Sequence, residues 1–263
     1  MSAVAVTQRR VVRSEWTKLW SLRSTRWSLL AAIVGMAGLG MIIAAFRMGH
    51  WSHLSAGERA RYDPIDNGVG GYHLAQLAIG VLGVIVMSGE YATGMIRSTL
   101  MAVPHRLPVL WAKALVFAVV TFVLMLASSF VSFFGVQAIV AQRNLQAHLG
   151  DPHALRAVVG TALFLTVLGV LSVGLGGLLR STAGGIAAFV GLLFVLPGIT
   201  ALLPSNIGDA ISPYLPLNAG FAVATSTFDN SHHLAPWTGF GVFCAYAVVA
   251  VAAAAVALVR RDA

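Results

Sequence analysis

The side chains in this sequence that could bind a metal or move a proton are eight histidines, nine acids and one cysteine, Cys244. His50-x-x-His53 would put two imidazoles on one face if the segment were helical, and His232-His233 are adjacent farther along. A metal site needs a defined ligand set. Neither pair has acids or cysteines at ligand spacing, so both read as hydrated loop histidines. A single cysteine excludes a disulfide framework and a Cys-based zinc site. Nucleophile and zinc-protease signatures are missing too: there is no HExxH and no GxSxG, and Gly169-Val-Leu-Ser172-Val-Gly174 has the wrong spacing. Without a Walker A sequence the chain does not cradle nucleotide phosphates by that route. It is expected to be no enzyme and to carry no metal or cofactor of its own.

Two other groupings carry polar chemistry. One is an island over 89–113 holding Glu90, Gly94, Arg97, Pro104, Arg106 and Lys113 between two long hydrophobic runs. Gly94 permits a sharp turn, and Pro104 restricts Val103. A short helix between them would offer Met95, Ile96, Thr99 and Leu100 to a partner protein. Glu90 and Arg97 are roughly 10 Å apart along a straight helix, too far to pair; a bridge from Glu90 to Arg106 or Lys113 is easier if the loop folds back. The plain alternative is a connecting loop. The second grouping is a stripe, His73, Gln76, Gly80, Gly83, Met87 and Glu90, whose 3-4-3-4-3 spacing lines one helix face. Thr121, Ser128, Ser132 and Gly135 form a similar face farther on. Such faces either pack helices closely or, with His73, Gln76, Ser128 and Ser132, line a substrate path.

The elements that must position these residues are set by composition. Apolar residues make up 58% of the 263, and charged ones 10%, against about 25% charged in soluble domains. A soluble fold and disorder are both excluded. Six stretches reach the roughly 20 apolar residues that cross a bilayer: 27–46, 69–88, 114–140, 157–179, 183–203 and 236–259, none containing Asp, Glu, Lys or Arg. The first, with 26 residues before it, reads as a span rather than a signal peptide. The third is longest and is expected to tilt or project. With no acid in a span, a carboxylate proton relay is missing, so a transporter of this makeup draws energy from another subunit.

Lys and Arg give the direction. Twelve lie on the side of the termini and five on the other, with net charges of +9 and −1. The basic side is cytoplasmic by the positive-inside rule. The basic pI is this topology signal rather than a nucleic-acid surface. The expected fold is therefore an all-α integral membrane protein, one unit over 1–263, with six transmembrane helices and both termini cytoplasmic. Residues 9–26 precede the first span. At helical spacing Val12, Trp16, Leu19 and Trp20 share an arc of about 100°, which suits an interfacial amphipathic helix; the alternative is a basic juxtamembrane tail. The outer segment 204–235 is too apolar for a free loop in water, and by itself reads as a surface-lying cap.

The run Glu90-Tyr-x-x-Gly94-x-x-Arg97-x-x-Leu100-x-x-x-Pro104-x-Arg106, followed by Lys113, resembles the second-to-third loop of ABC transporter permeases of the type-2 exporter class. Ser14-Glu15-Trp16-Thr17-Lys18-Leu19, Leu179-Arg180-Ser181-Thr182-Ala183-Gly184 and Tyr214-Leu215-Pro216-Leu217-Asn218-Ala219-Gly220 resemble the same family in the same order, especially its compact actinobacterial members. The resemblance implies a plasma-membrane permease that pairs with a second permease and with two ATPase subunits holding ATP and Mg. It implies export of a small molecule, lipid or peptide. It also implies that the N-terminal helix and the 89–113 loop contact the ATPase, which makes Glu90, Gly94, Arg97, Pro104, Arg106 and Lys113 a coupling element. Short re-entrant helices before the last span belong to the same picture. The rivals are a non-transporting membrane scaffold or sensor-associated subunit, and an intramembrane enzyme, which the missing catalytic motifs disfavour.

Overall fold

The computed structural model describes residues 7–102, 106–226 and 234–260. Pro104, His232 and His233, named above, lie outside them, as does 227–233 of the outer segment. The described residues are helical and contain no strand. In chain order the α-helices are α1 (Gln8–Ser21), α2 (Arg23–Gly49), α3 (Ala56–Ala60), α4 (Pro64–Gly68), α5 (Tyr72–Ala92), α6 (Met95–Ala102), α7 (Leu107–Val140), α8 (Ala154–Leu179), α9 (Thr182–Val190), α10 (Leu196–Thr200), α11 (Ser205–Ile211), α12 (Pro216–Phe221) and α13 (Pro236–Arg260).

Six helical stretches are long and apolar enough to cross a membrane: α2, α5, α7 with the turn after it, α8, α9 through α10, and α13. The chain is an all-α, multi-pass membrane protein. The spans keep the order expected from the sequence, but several helices run past their apolar stretches. α7 has 34 residues, about 51 Å of helix against a hydrocarbon core of about 30 Å. It begins at Leu107 with Pro108 in its first turn, where the missing N–H costs nothing. Lys113 is therefore a helix residue. Glu90 likewise belongs to α5.

The fourth span is the hub. In α8, 67% of the most apolar stretch is buried, against 17–50% in the others. It packs on α5, α7, α9 and α13. Close approach is bought by glycine. A Cβ on Gly176 would stand 2.6 Å from the Val84 carbonyl oxygen of α5, and one on Gly83 2.7 Å from the Gly169 carbonyl oxygen of α8. α2 lies outside the hub against α5 and α7, and a Cβ on Gly71 would fall 1.7 Å from its Met36 carbonyl oxygen.

α8 stops at Arg180, whose φ is +53°, and Ser181 starts α9 by accepting the Gly184 N–H. This explains the Arg-Ser-Thr-Ala-Gly run in backbone terms. The fifth span contains a π-helical turn over Gly191–Val195 just before Pro197. The wider turn gives room to a ring that would otherwise press on the preceding carbonyl.

The N-terminal segment differs from expectation in two ways. The helix ends at Ser21, where the side-chain hydroxyl donates to Lys18 O and competes with the helix's own bonding; Leu22 is extended, and Arg23 opens α2. Residues 23–26 are thus part of the first span's helix. The face turned inward is Val11, Glu15 and Leu19, while Trp16 and Trp20 are exposed and lie 5.9 Å apart. The apolar arc misplaced this face because its centre is a carboxylate, which a hydrophobicity pattern reads as outward.

In the outer segment, α11 and α12 are joined by a single 3₁₀ turn, Ser212–Tyr214. α12 packs on α13 and α8, with Gly220 pressed on Phe243 and Phe164. Asp63 and Asp66 of the α4 region hold this segment at Ser226. Ser226 Oγ donates to Asp63 Oδ2 at 2.6 Å, and the Ser226 N–H donates to Asp66 Oδ1 at 2.6 Å.

Candidate functional site

The chain has only two lysines, and both meet the same two glutamates. Lys18 Nζ donates to Glu15 Oε1 at 2.7 Å and to Glu90 Oε1 at 3.0 Å. Lys113 Nζ donates to Glu15 Oε2 at 2.6 Å and to Glu90 Oε1 at 2.8 Å. The four charges alternate in a closed ring, and its net charge is zero. α1 supplies Glu15 and Lys18, α5 supplies Glu90, and α7 supplies Lys113. Lys18 spends its third donor on Thr99 Oγ1 of α6, at 3.2 Å. An ammonium suits this position because it is a compact charge with three rotatable donors.

The ring is buried. The side chains of Glu15, Glu90 and Lys113 are 3–4% exposed and that of Lys18 is 26%. Charges taken out of water are tolerated only when paired and hydrogen-bonded. Burial alone would lower the Lys18 pKa. The hydrogen bond and charge of Glu15, then those of Glu90, outweigh it and hold the ammonium above the ordinary lysine value. Glu90 Oε2 has no partner among the described residues. Beside the ring is a pocket of about 170 Å³, lined by its four charged side chains and by apolar ones such as Leu19, Leu22, Ile85 and Val116.

The ring fastens four helices at the end of the molecule where α1 begins and α13 ends. Around it, Val11 packs with Val109 and Ala112 of α7, and Ile96 of α6 is buried. Arg106 Nη1 donates to Leu258 O at 2.9 Å, and Arg180 Nη2 donates to Ala257 O at 2.8 Å. Both guanidiniums therefore sit on the last carbonyls of α13, where a cation also complements the helix dipole. Arg180 stacks over the Tyr91 ring as well, 5.1 Å from its centroid.

The polar island is thus divided. Glu90 and Lys113 join the ring, one of the two bridges, to Arg106 or to Lys113, that the sequence left open. Arg106 instead holds α13. Gly94 makes the turn from α5 to α6 with φ +70°. Arg97 is exposed, and among the described residues it has no ion-pair partner. α6 turns Ile96 and Thr99 inward and exposes Met95, Arg97, Ser98 and Met101. This differs from the face anticipated for a partner, because the Lys18–Thr99 bond and Ile96 burial fix its rotation. The structure does not describe the Leu100 side chain. Sequence reasoning missed Glu15 and Lys18. Their usable signal was composition: two lysines beside fifteen arginines, one of them three residues from a glutamate.

The small-residue faces are packed within the chain. A Cβ on Gly80 would stand 1.9 Å from Phe189 Cζ. Ser132 Oγ donates to Gly68 O at 2.8 Å, and Ser128 Oγ to Leu124 O at 2.7 Å. Gln76 is buried, and its Oε1 has no partner among the described residues. His73 is exposed, with its ring 4.0 Å from that of Tyr72. None of these four residues lines the cavities beside the ring, at the start of α2 or at the end of α13. His50 and His53 stand with ring centroids 6.4 Å apart, and among the described residues no group of three or more His, Cys, Asp or Glu is placed to hold a metal.

No protein-family model and no curated protein matches this chain.

Proposed function

We propose that this chain is the permease subunit of an ATP-driven transporter of the ABC type-2 exporter class, working with a second permease and with ATPase subunits that hold ATP and Mg. The carrying observation is the charge ring. It ties into one body the N-terminal helix, the end of the second span, α6 and the start of the third span. These are the segments that, by resemblance, touch the ATPase. On the outside of that body α6 presents Arg97 between the exposed Met95 and Met101, a directional guanidinium for a carboxylate on the partner flanked by apolar contact.

In this reading a push on α6 or α1 is not absorbed by a slack loop. It passes through Lys18 to Glu90 at the end of α5 and through Glu15 to Lys113 at the start of α7. ATP binding and release rock the permeases by making the partner's contacts differ between two states. Location in the plasma membrane, and export rather than import, rest on the resemblance. Of the four path residues, only His73 is open to a second molecule; the others need helices to separate.

The test is copurification of the tagged chain with an ATPase, followed by Arg97→Ala. The expected result is that an ATPase carrying Walker motifs is retained by wild-type protein. Arg97→Ala should then insert normally but lose ATPase binding and transport together. Absence of any ATPase from the wild-type preparation sinks the transporter reading and leaves the scaffold.

A further inference from the structure

The first residues of α2 place two guanidiniums, an indole and a leucine on one face. Arg23, Arg26, Trp27 and Leu30 are spaced i, i+3, i+4 and i+7, the neighbours on a helix surface, and they line an open cleft of about 320 Å³. Both arginines are exposed, and among the described residues neither meets an acid. The charge ring is the reason. Glu15 and Glu90 are the described acids at this end of the molecule, and both are committed to lysines. Two like charges one turn apart repel unless something anionic lies between them.

The face continues as an apolar strip, a ridge that winds slowly round the helix, about 40° per step of four. From Arg26 it runs through Leu30, Val34 and Gly38 before passing to Ile42 and Phe46 on the far side. Leu30 is 45% exposed, Val34 59%, and Ile42 and Phe46 66%. Gly38 makes a dip, since a Cβ there would meet only Val34, at 3.8 Å. Trp27, 69% exposed, stands where the charges give way to this strip. Arg26 and Val34 are separated by about 12 Å of helix axis, the descent from headgroup to acyl chain.

We propose that this face is a binding slot for an anionic phospholipid. The phosphate sits between Arg23 and Arg26, the glycerol region lies against Trp27, and one acyl chain follows Leu30 and Val34 into the dip at Gly38. Guanidinium forks match phosphate oxygens in paired bonds. A free phosphate would use the arginines alone, whereas the apolar strip gives a contact that only the chain of a lipid fills. The slot rests on the six spans and on the unpaired arginines, and stands apart from the transport reading.

The test uses the full chain with Trp27 as its sole tryptophan, the other five replaced by Phe, in vesicles of phosphatidylcholine mixed with phosphatidylglycerol. Either lipid is brominated in turn to quench Trp27. Brominated phosphatidylglycerol should quench at about a fivefold lower mole fraction or better, since one cation at an anionic surface is worth about that factor. R23Q/R26Q should bring the two lipids level, and R26Q alone should lose part of the preference. Circular dichroism confirms that the variants keep their helix. Equal quenching by both lipids in the parent overturns the slot, as does a preference that survives R23Q/R26Q. Excess glycerol 3-phosphate should leave the preference unchanged; its abolition would make this a site for soluble phosphate instead.

Discussion

Lys113 Nζ lies 2.6 Å from Glu15 Oε2 across 98 positions of sequence, and both side chains are almost fully buried. This pair closes the ring that holds the N-terminal helix to the third span. A buried charge left without its partner typically costs about 3–5 kcal/mol. Lys113→Met should destabilise the protein by about that amount and loosen α1, read as a lower Tm and faster tryptic cleavage after Arg13. Lys18→Met should cost less, because that side chain is 26% exposed. Equal effects would mean that the ring does not share its charge as its burial implies.

Alkaline pH tests a second region. Tyr62, between α3 and α4, is partly buried, and its phenol has no partner among the described residues. Burial pushes its pKa from 10 up to about 12, against the lowering charge of Arg47 and with a smaller rise from the Asp63 charge. Lys18 also binds its proton more tightly in the fold. A group with a raised folded pKa stabilises fully below its unfolded value and loses that contribution as pH rises through the folded one. Thermal stability should therefore fall from pH 10 to about 12, and Tyr62→Phe should flatten part of the fall. At neutral pH Tyr62→Phe should be neutral or slightly stabilising, since it removes an unpaired hydroxyl and keeps an aromatic ring against Trp51.

Gly83→Ala sets a methyl against the Gly169 carbonyl oxygen, and Gly80→Ala sets one against the Phe189 ring. Overpacking of this kind costs about 1–3 kcal/mol. Gly83 should be the worse of the two, because backbone yields less than a ring. Gly89→Ala on the same helix meets only Ile85, at 3.9 Å, and should leave the Tm unchanged or raise it. A loss at Gly89 as large as at Gly83 would refute the packing account.

Orientation follows from charge and is open to labelling. In a Cys244→Ala background, Ser52→Cys should react with an impermeant maleimide outside intact cells, while Ser14→Cys and Ser98→Cys should not. All three serines are exposed, so failure to label reports the side of the membrane. Labelling of Ser14→Cys or Ser98→Cys from outside would reverse the topology.

Hydropathy made the spans legible because lipid imposes one length and one composition on every crossing helix. It placed helix ends poorly where the chain continues helically beyond the hydrocarbon. α7 starts seven residues before the apolar run at Ala114, since Leu107–Lys113 has helical capacity but carries a charge. The bridge from Glu90 to Lys113 was legible as one of two geometric options. Glu15 and Lys18 were not, because a pattern of apolar residues assigns charges to the outside, and only a partner from a distant segment lets them turn inward. The rotation of α6 had the same cause: Thr99 faces inward to accept from Lys18.

The hub helix is the fourth span, and a chain is synthesised from its N-terminus. α2, α5 and α7 therefore enter the bilayer before the helix around which they are arranged. During that interval Gly83 and its neighbours have no α8 to receive them. The contacts open to the early trio are the α2 crossings near Met36 and Gly71 and the pairing of Glu15, Lys18, Glu90 and Lys113. All of these residues lie within the first 113 positions, so every part of this assembly jig is made before its central post arrives.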